Sequence, residues 1–341
     1  MNKNFFSIIF LLIILPLVFY SCVKDVKEPG KMSLPSGPYL GQTPPGDTPE
    51  LFAPGIISTP LYTRDIAMTP DGSEIYFCVS ALGYNLIFYT KQTDNKWSTP
   101  GVAPFIKDLK YMYYEPHITP DGKMMLFLSN MVDKDGVEGD QDIWAVNRIN
   151  DSWGEPYNLG APVNSDGAEF YPSVTKDGTI YFTRQPAGDA NSYIYRSKMI
   201  DGKYSDVEKL PAQVNCGTAR YNAYIDPGEK FIIVPAVGIE GGFGGTDYYI
   251  VFRNNKDNWS DPINMGNKMN TESGREYSAS LSPDGKYLFF MSGRTLPDTT
   301  VTSSNLTLNY ILDKFNKPQN GNSDIYWISA SFIKQLKPEG F

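Results

Sequence analysis

From residue 51 onward, short apolar runs separated by polar turns recur with a period. Five runs share one context: Ile75-Tyr76-Phe77, Met125-Leu126-Phe127, Ile180-Tyr181-Phe182, Phe231-Ile232-Ile233 and Tyr287-Leu288-Phe289-Phe290. Each follows a turn of Pro-Asp-Gly type, at Pro70-Asp71-Gly72, Pro120-Asp121-Gly122, Lys176-Asp177-Gly178, Pro227-Gly228-Glu229 and Pro283-Asp284-Gly285, in steps of 50, 56, 51 and 56 residues. Pro pre-sets the first turn dihedral, Asp bonds the local backbone and Gly supplies the positive φ, so the triplet reverses the chain. Aromatic and branched runs of this length, bounded by turns, are strands. The strand before each turn is apolar at Ile66, Pro116, Pro172, Ala223 and Ala279, and again at Met68, Ile118, Val174, Ile225 and Leu281. A third strand follows in each copy, as in Leu86-Ile87-Phe88-Tyr89 and Asp324-Ile325-Tyr326-Trp327. An aromatic-led segment then begins at Trp97, Trp153, Tyr204 and Trp259.

The unit is four short antiparallel strands, and such units stacked radially are the blades of a β-propeller. The predicted fold is all-β, with five four-stranded blades; a sixth would need a copy the repeat does not reveal. The fifth copy lacks an aromatic-led fourth strand, whereas Leu51 to Ser58 precedes the first copy as an orphan strand. An open ring would leave two sheet edges exposed, so this N-terminal strand is predicted to close the last blade. The Pro-Asp-Gly turn, the Tyr-Phe strand and the Asp-Ile-Tyr/Trp strand resemble the TolB-type, WD40-like propeller repeat. The resemblance implies that the strands before the turns are innermost, lining a central channel. Proteins with this repeat bind proteins, peptides and sugars or accompany enzymes, so it implies little about activity.

Composition narrows the chemistry. Net charge is -8, from 30 Lys+Arg and 38 Asp+Glu, which leaves no basic surface for nucleic acid. One histidine, His117, excludes a zinc site of several imidazoles. It reads as a hydrogen-bonded structural residue. No cofactor and no metal site is expected; the acidic segment from Asp133 to Asp142 lacks the Glu that an EF-hand needs at its twelfth position and reads as a solvated loop. The glycines from Gly241 to Gly245 precede a strand rather than a helix and read as a tight loop.

Met1 to Ser21 has the parts of a signal peptide, with an apolar run from Phe5 to Tyr20. Val18-Phe19-Tyr20-Ser21-Cys22 resembles the lipobox of bacterial lipoproteins, which implies cleavage before Cys22 and a lipid on its thiol. The domains expected are therefore a signal peptide over 1–21, a flexible tether over 22–50 and the propeller over 51–341. The chain reads as a monomer of the bacterial envelope, lipid-anchored at the outer membrane. Cys78 and Cys216 fall on non-adjacent blades and are expected to stay unpaired.

Aligned on the turns, the starts of the inner strands place Arg64 and Asp65, Tyr114 and Glu115, Glu169 with Phe170 and Tyr171, Arg220 and Tyr221, and Arg275, Glu276 and Tyr277 around one mouth of the channel. Arg can grip carboxylates and Tyr can stack on sugars or peptide groups, so this is the candidate ligand site. The alternative is that these charges pair with one another. The reading is a binding or scaffolding module without catalytic residues, holding an envelope protein, peptide or glycan. The competing reading is an inverting glycosidase using Asp65, Glu115 and Glu169.

Overall fold

Each repeated turn is stapled by its own side chains. Thr69 Oγ1 donates to Asp71 Oδ1 at 2.6 Å, the Ser73 N–H reaches the same oxygen at 3.0 Å, and the Gly72 N–H closes on the Thr69 carbonyl at 2.8 Å. Thr119 and Asp121, Thr175 and Asp177, and Ser282 and Asp284 repeat the pattern. In the fourth copy Glu229 stands where the others have Gly, at φ 54°, and its N–H still closes on the Asp226 carbonyl. The turn type is therefore kept at a steric cost. The Glu229 carboxylate offsets it by accepting from Tyr181 Oη on the preceding blade and pairing with Arg253.

The computed structural model describes residues 35–132, 141–295 and 299–341. Their strands form five antiparallel blades. The inner strands are Tyr62–Met68, Tyr113–Ile118, Ala168–Val174, the interrupted pair Ala219–Arg220 and Tyr224–Ile225, and Ala279–Leu281. The second strands are Glu74–Ala81, Met124–Ser129, Ile180–Gln185, Phe231–Val237 and Tyr287–Ser292. The third are Tyr84–Thr93, Asp142–Ile149, Tyr193–Ser197, Thr246–Phe252 and Asp324–Ser329. Four outer strands are Gly101–Val102, Tyr157–Asn158, Glu208–Lys209 and Ile263–Asn264. The fifth is Glu50–Leu51, which pairs with Trp327 and Tyr326 of the last blade, so the N-terminal segment closes the ring as expected, but through this pair rather than a strand over 51–58, where the chain bends and turns. Behind it Phe52 and Ile57 are fully buried and Ile56 half-buried.

The aromatic-led segments differ from expectation. Lys96–Trp97 and Ser152–Trp153 pair with the end of the third strand, and the outer strand lies further along the chain. Trp153 serves the neighbouring blade, its Nε1 donating to Tyr76 Oη at 2.7 Å. Arg148 beside it forks onto Glu74 at 2.7 and 2.8 Å, joining the same two blades. A third feature, absent from the sequence reading, is an asparagine after the outer strand. Asn164, Asn215 and Asn270 each hold both the N–H and the carbonyl of one third-strand residue, Ile143, Ile194 and Tyr248.

The tether is shorter than its composition suggested. Within residues 35–50, Leu40 is buried, Tyr39 packs edge-on against Tyr287, and the Gly37 carbonyl accepts from Trp97 Nε1 at 2.7 Å. Two apolar side chains suffice to dock this Pro- and Gly-rich stretch, so the packed unit begins at about the start of the described residues. Cys22, the signal segment 1–21 and the tether over 22–34 lie outside the described residues, as do residues 133–140 of the acidic loop. Among the described residues no helix is long and apolar enough to cross a membrane, and no cluster of His, Cys, Asp and Glu is arranged to hold a metal. The glycine loop turns where space demands it, since a Cβ on Gly244 would sit 2.6 Å from the Thr271 carbonyl.

Cys78 and Cys216 are both free and buried. Burial pushes the Cys216 thiol up to about 11 and raises Cys78 well above the usual thiol range. Neither thiol is expected to react with a maleimide in the native protein, and both should react on unfolding without reductant. Native labelling at either position, read by mass spectrometry, would contradict this packing.

Candidate functional site

All five copies depart from regular strand at the same place, five residues before the turn: by a β-bulge in the first three blades, by the break between the two strand pieces in the fourth, and just before Ala279–Leu281 in the fifth. The residues there are Asp65, Glu115, Tyr171, Asn222 and Ser278, with φ of 50°, 58°, 51°, 51° and 77°. None is glycine, so each holds a left-handed conformation at a cost on the order of 1 kcal/mol. A bulge inserts an unpaired residue and re-aims its neighbours. Here it turns the residue before it into the channel: Arg64, Tyr114, Phe170, Tyr221 and Tyr277, one per blade, line a cavity of about 440 Å³. Glu115 and Asn222 also reach the cavity, and Met112, Leu128 and Gln141 complete its wall.

One residue earlier, the pleat points the side chain away from the channel. Thr63, Tyr113, Glu169, Arg220 and Glu276 are all buried, and all fix the loop leading into their own strand. Thr63 Oγ1 donates to the Ile57 carbonyl and Tyr113 Oη to that of Asp108. Glu169 accepts from Ser165 and pairs with Arg184 at 2.6 Å. Arg220 donates to the carbonyls of Cys216, Gly217 and Ser192. Glu276 accepts from Thr271, Ser273 and Ser292. Three expected mouth residues, Glu169, Arg220 and Glu276, are therefore structural by position. Arg275 is exposed at the rim, outside the cavity wall, and donates to the Gly321 carbonyl at 2.9 Å.

The cavity floor is an ion cluster. Arg64 Nη2 lies 2.6 Å from Glu115 Oε1, and Arg64 Nε lies 2.9 Å from Asp65 Oδ2. The second Glu115 oxygen accepts the Tyr171 N–H at 2.7 Å, and Asn222 Nδ2 bridges Glu115 to Ser278. The guanidinium sits between the rings of Tyr114 and Tyr277, 5.3 and 5.2 Å from their centroids. Nη1 has no hydrogen-bond partner among the described residues, and the Arg64 side chain keeps 15% of its surface exposed, toward the cavity. The Tyr hydroxyls are tied back, Tyr114 to Asn85 and Ser80, Tyr221 to Thr246 and Tyr277 to Tyr62, so the rings are fixed. The result is a rigid aromatic cup with one free NH2 group at its base.

Two carboxylates share one cation here. Desolvation lowers the charge preference of Arg64, but Asp65 and Glu115 outweigh it and hold the guanidinium charged well above its usual range. Burial, with Asp65 alongside, pushes Glu115 up to about 7 despite Arg64. Its folded pKa lies above the ordinary carboxylate value near 4.3, so folding takes up a proton between those limits, and this contribution to stability is lost as pH rises through that window. The stability of Glu115→Gln relative to wild type should therefore improve from pH 5 to pH 8, by on the order of 2 kcal/mol, and stay level above. Urea melts at both pH values check this; an unchanged difference would contradict the buried pair.

Beyond the bulge layer, the turn end of the channel holds a separate cavity of about 150 Å³, ringed by Pro70, Pro120, Lys176, Pro227 and Pro283. His117 lines it and accepts the Val174 N–H on Nε2 at 2.9 Å. Desolvation lowers its imidazole to about 4, so it is neutral and structural, as the sequence suggested.

No protein-family model matches the chain, and no curated protein matches it by sequence. Solved structures do. The putative TolB from Agrobacterium tumefaciens is 15% identical at a TM-score of 0.45, over 72% of this chain and 73% of that one. TolB from Acinetobacter baumannii is 17% identical at 0.44, over 78% of this chain and 54% of the other. The Hadza microbial sialidase Hz136 is 12% identical at 0.43, over 69% and 55%. This chain thus spans about half the length of the latter two. TolB propellers stand among its structural neighbours beside an enzyme, and no residue role carries over at such identities.

Proposed function

We propose that the chain is a non-catalytic binding module of the bacterial envelope, held to the membrane by a lipid on Cys22, with its ligand at the cup of Arg64, Tyr114, Phe170, Tyr221 and Tyr277. The observation that carries the reading is the unpartnered Nη1 of Arg64 at the base of a rigid aromatic cavity. Aromatic faces with one precisely placed polar group are the usual construction of a ligand site. The group that fits is a planar or apolar moiety bearing a hydrogen-bond acceptor, as on a peptide side chain or terminus or on a glycan. The mouth carboxylates are poorly placed for glycoside hydrolysis. Asp65 and Glu115 share Arg64, and Glu169 faces away from the channel with Arg184.

Screening the protein on paired peptide and glycan arrays tests the reading. The expected result is a bound class without product formation. A glycosidase rate that disappears in Glu115→Gln or Asp65→Asn, in variants shown to stay folded, would replace the binding module with an enzyme, because general acid or base help is then lost.

A further inference from the structure

The connection between the second and third strands of the last blade carries a helix, Leu308–Phe315, whose first turn is capped by Thr307 Oγ1. None of its residues is buried. Leu308 is 70% exposed, Ile311 49%, Leu312 46% and Phe315 58%, with Leu306 before it at 49%. Positions 308, 311, 312 and 315 lie on one helical face. The base of the helix is fixed at the mouth end: Asn320 Nδ2 donates both to the Phe315 carbonyl and to Pro60, which precedes the first inner strand. A contiguous apolar face on an anchored element is unusual for a surface that meets only water.

We propose that this face docks a second copy of the chain, the two helices packing antiparallel about a two-fold axis. The proposal departs from the monomer expected from sequence and is independent of the ligand at the cup. Five side chains exposed to this extent present on the order of 500 Å², the size of patch that marks an interaction site. Two copies together remove about 1,000 Å², the lower edge of what a specific, reversible dimer needs. An isologous contact must be self-complementary, and this one is. With the axis midway between Ile311 and Leu312, Leu308 meets Phe315 of the second copy and Ile311 meets its Leu312. Asp313 then falls opposite Tyr310 and Lys314 opposite Asn309, so no like charges meet, whereas a parallel pairing would set Lys314 against Lys314. Antiparallel packing also brings each helix N-terminus beside the other's C-terminus, the favourable arrangement of the dipoles. Asp313 pairs with Lys317, just past the helix end, at 2.7 Å, which leaves Lys314 as a single net positive charge and little to draw the helix to an anionic bilayer.

Thiol cross-linking of the full-length protein in cells tests the proposal. Leu312→Cys places a reactive thiol next to the axis, while Cys78 and Cys216 are buried and silent. A short bis-maleimide should convert at least about a third of Leu312→Cys to a species of twice the chain mass. Adding Ile311→Asp should cut that yield at least fivefold. Leu82→Cys, at a fully exposed hairpin tip on the first blade, should give little dimer. No dimer from Leu312→Cys, equal dimer from Leu82→Cys, indifference to Ile311→Asp, or a product of some other mass would each overturn the proposal.

Discussion

Arg64→Ala is expected to destabilise the propeller by about 3 to 5 kcal/mol at pH 8 and by clearly less at pH 5. The substitution removes the one cation that Asp65 and Glu115 share, at 2.9 and 2.6 Å, and leaves both carboxylates in the channel floor. Breaking a buried pair from one side is costly because the remaining charge keeps its desolvation penalty. Lowering the pH relieves part of that penalty by protonating Glu115. The sign follows Glu115, which already holds its proton up to about 7 in the wild type. Denaturant melts of both proteins at the two pH values measure the effect. A loss below 1 kcal/mol at pH 8 would show that the cluster is not buried as described.

The second large effect concerns closure. Phe52→Ala should cost about 3 to 5 kcal/mol, because the ring is fully enclosed and its loss leaves a cavity. Phe52 meets Phe289 and Trp327 edge-on with centroids 5.0 and 5.1 Å away, and its N–H bonds the Ile325 carbonyl at 2.8 Å. A chain starting at Tyr62 loses the whole segment, bares the edge of Asp324–Ser329 and should aggregate. Truncated protein that stays free of aggregation with unchanged melting would mean that the last blade does not need its N-terminal strand.

The fold was legible because its information is local. Turn chemistry marks each blade, and even the deviant Glu229 keeps the hydrogen bond of the turn. Closure followed from counting strands against edges. The site was harder, since a shift of one residue in a strand exchanges its two faces. Reading Arg220 with Tyr221 and Glu276 with Tyr277 as pairs joined channel-facing side chains to loop anchors. Strict counting back six residues from each turn would have isolated Arg64, Tyr114, Phe170, Tyr221 and Tyr277, and so singled out Phe170 from its neighbours Glu169 and Tyr171. Asn222 had no such signal, because a bulge made by non-glycine residues has no sequence mark. The burial of Asp65 and Glu115 depends on contacts across blades, which no single stretch of sequence encodes. Tyr39 and Leu40 were hidden for another reason, since two anchors in a Pro- and Gly-rich stretch give no periodicity.

The central claim is that ligand is held at the aromatic cup rather than elsewhere on the ring. It is tested most directly by comparing what wild type, Tyr221→Ala and Lys176→Ala retain from envelope extract. Tyr221 is in the wall of the cup, and Lys176 lines the cavity at the opposite end of the channel. One component should be retained by wild type and Lys176→Ala alike, with Tyr221→Ala weakening it by about 1 to 3 kcal/mol, roughly 5- to 150-fold, while folding is preserved. Equal retention by all three, or a loss confined to Lys176→Ala, would contradict the account.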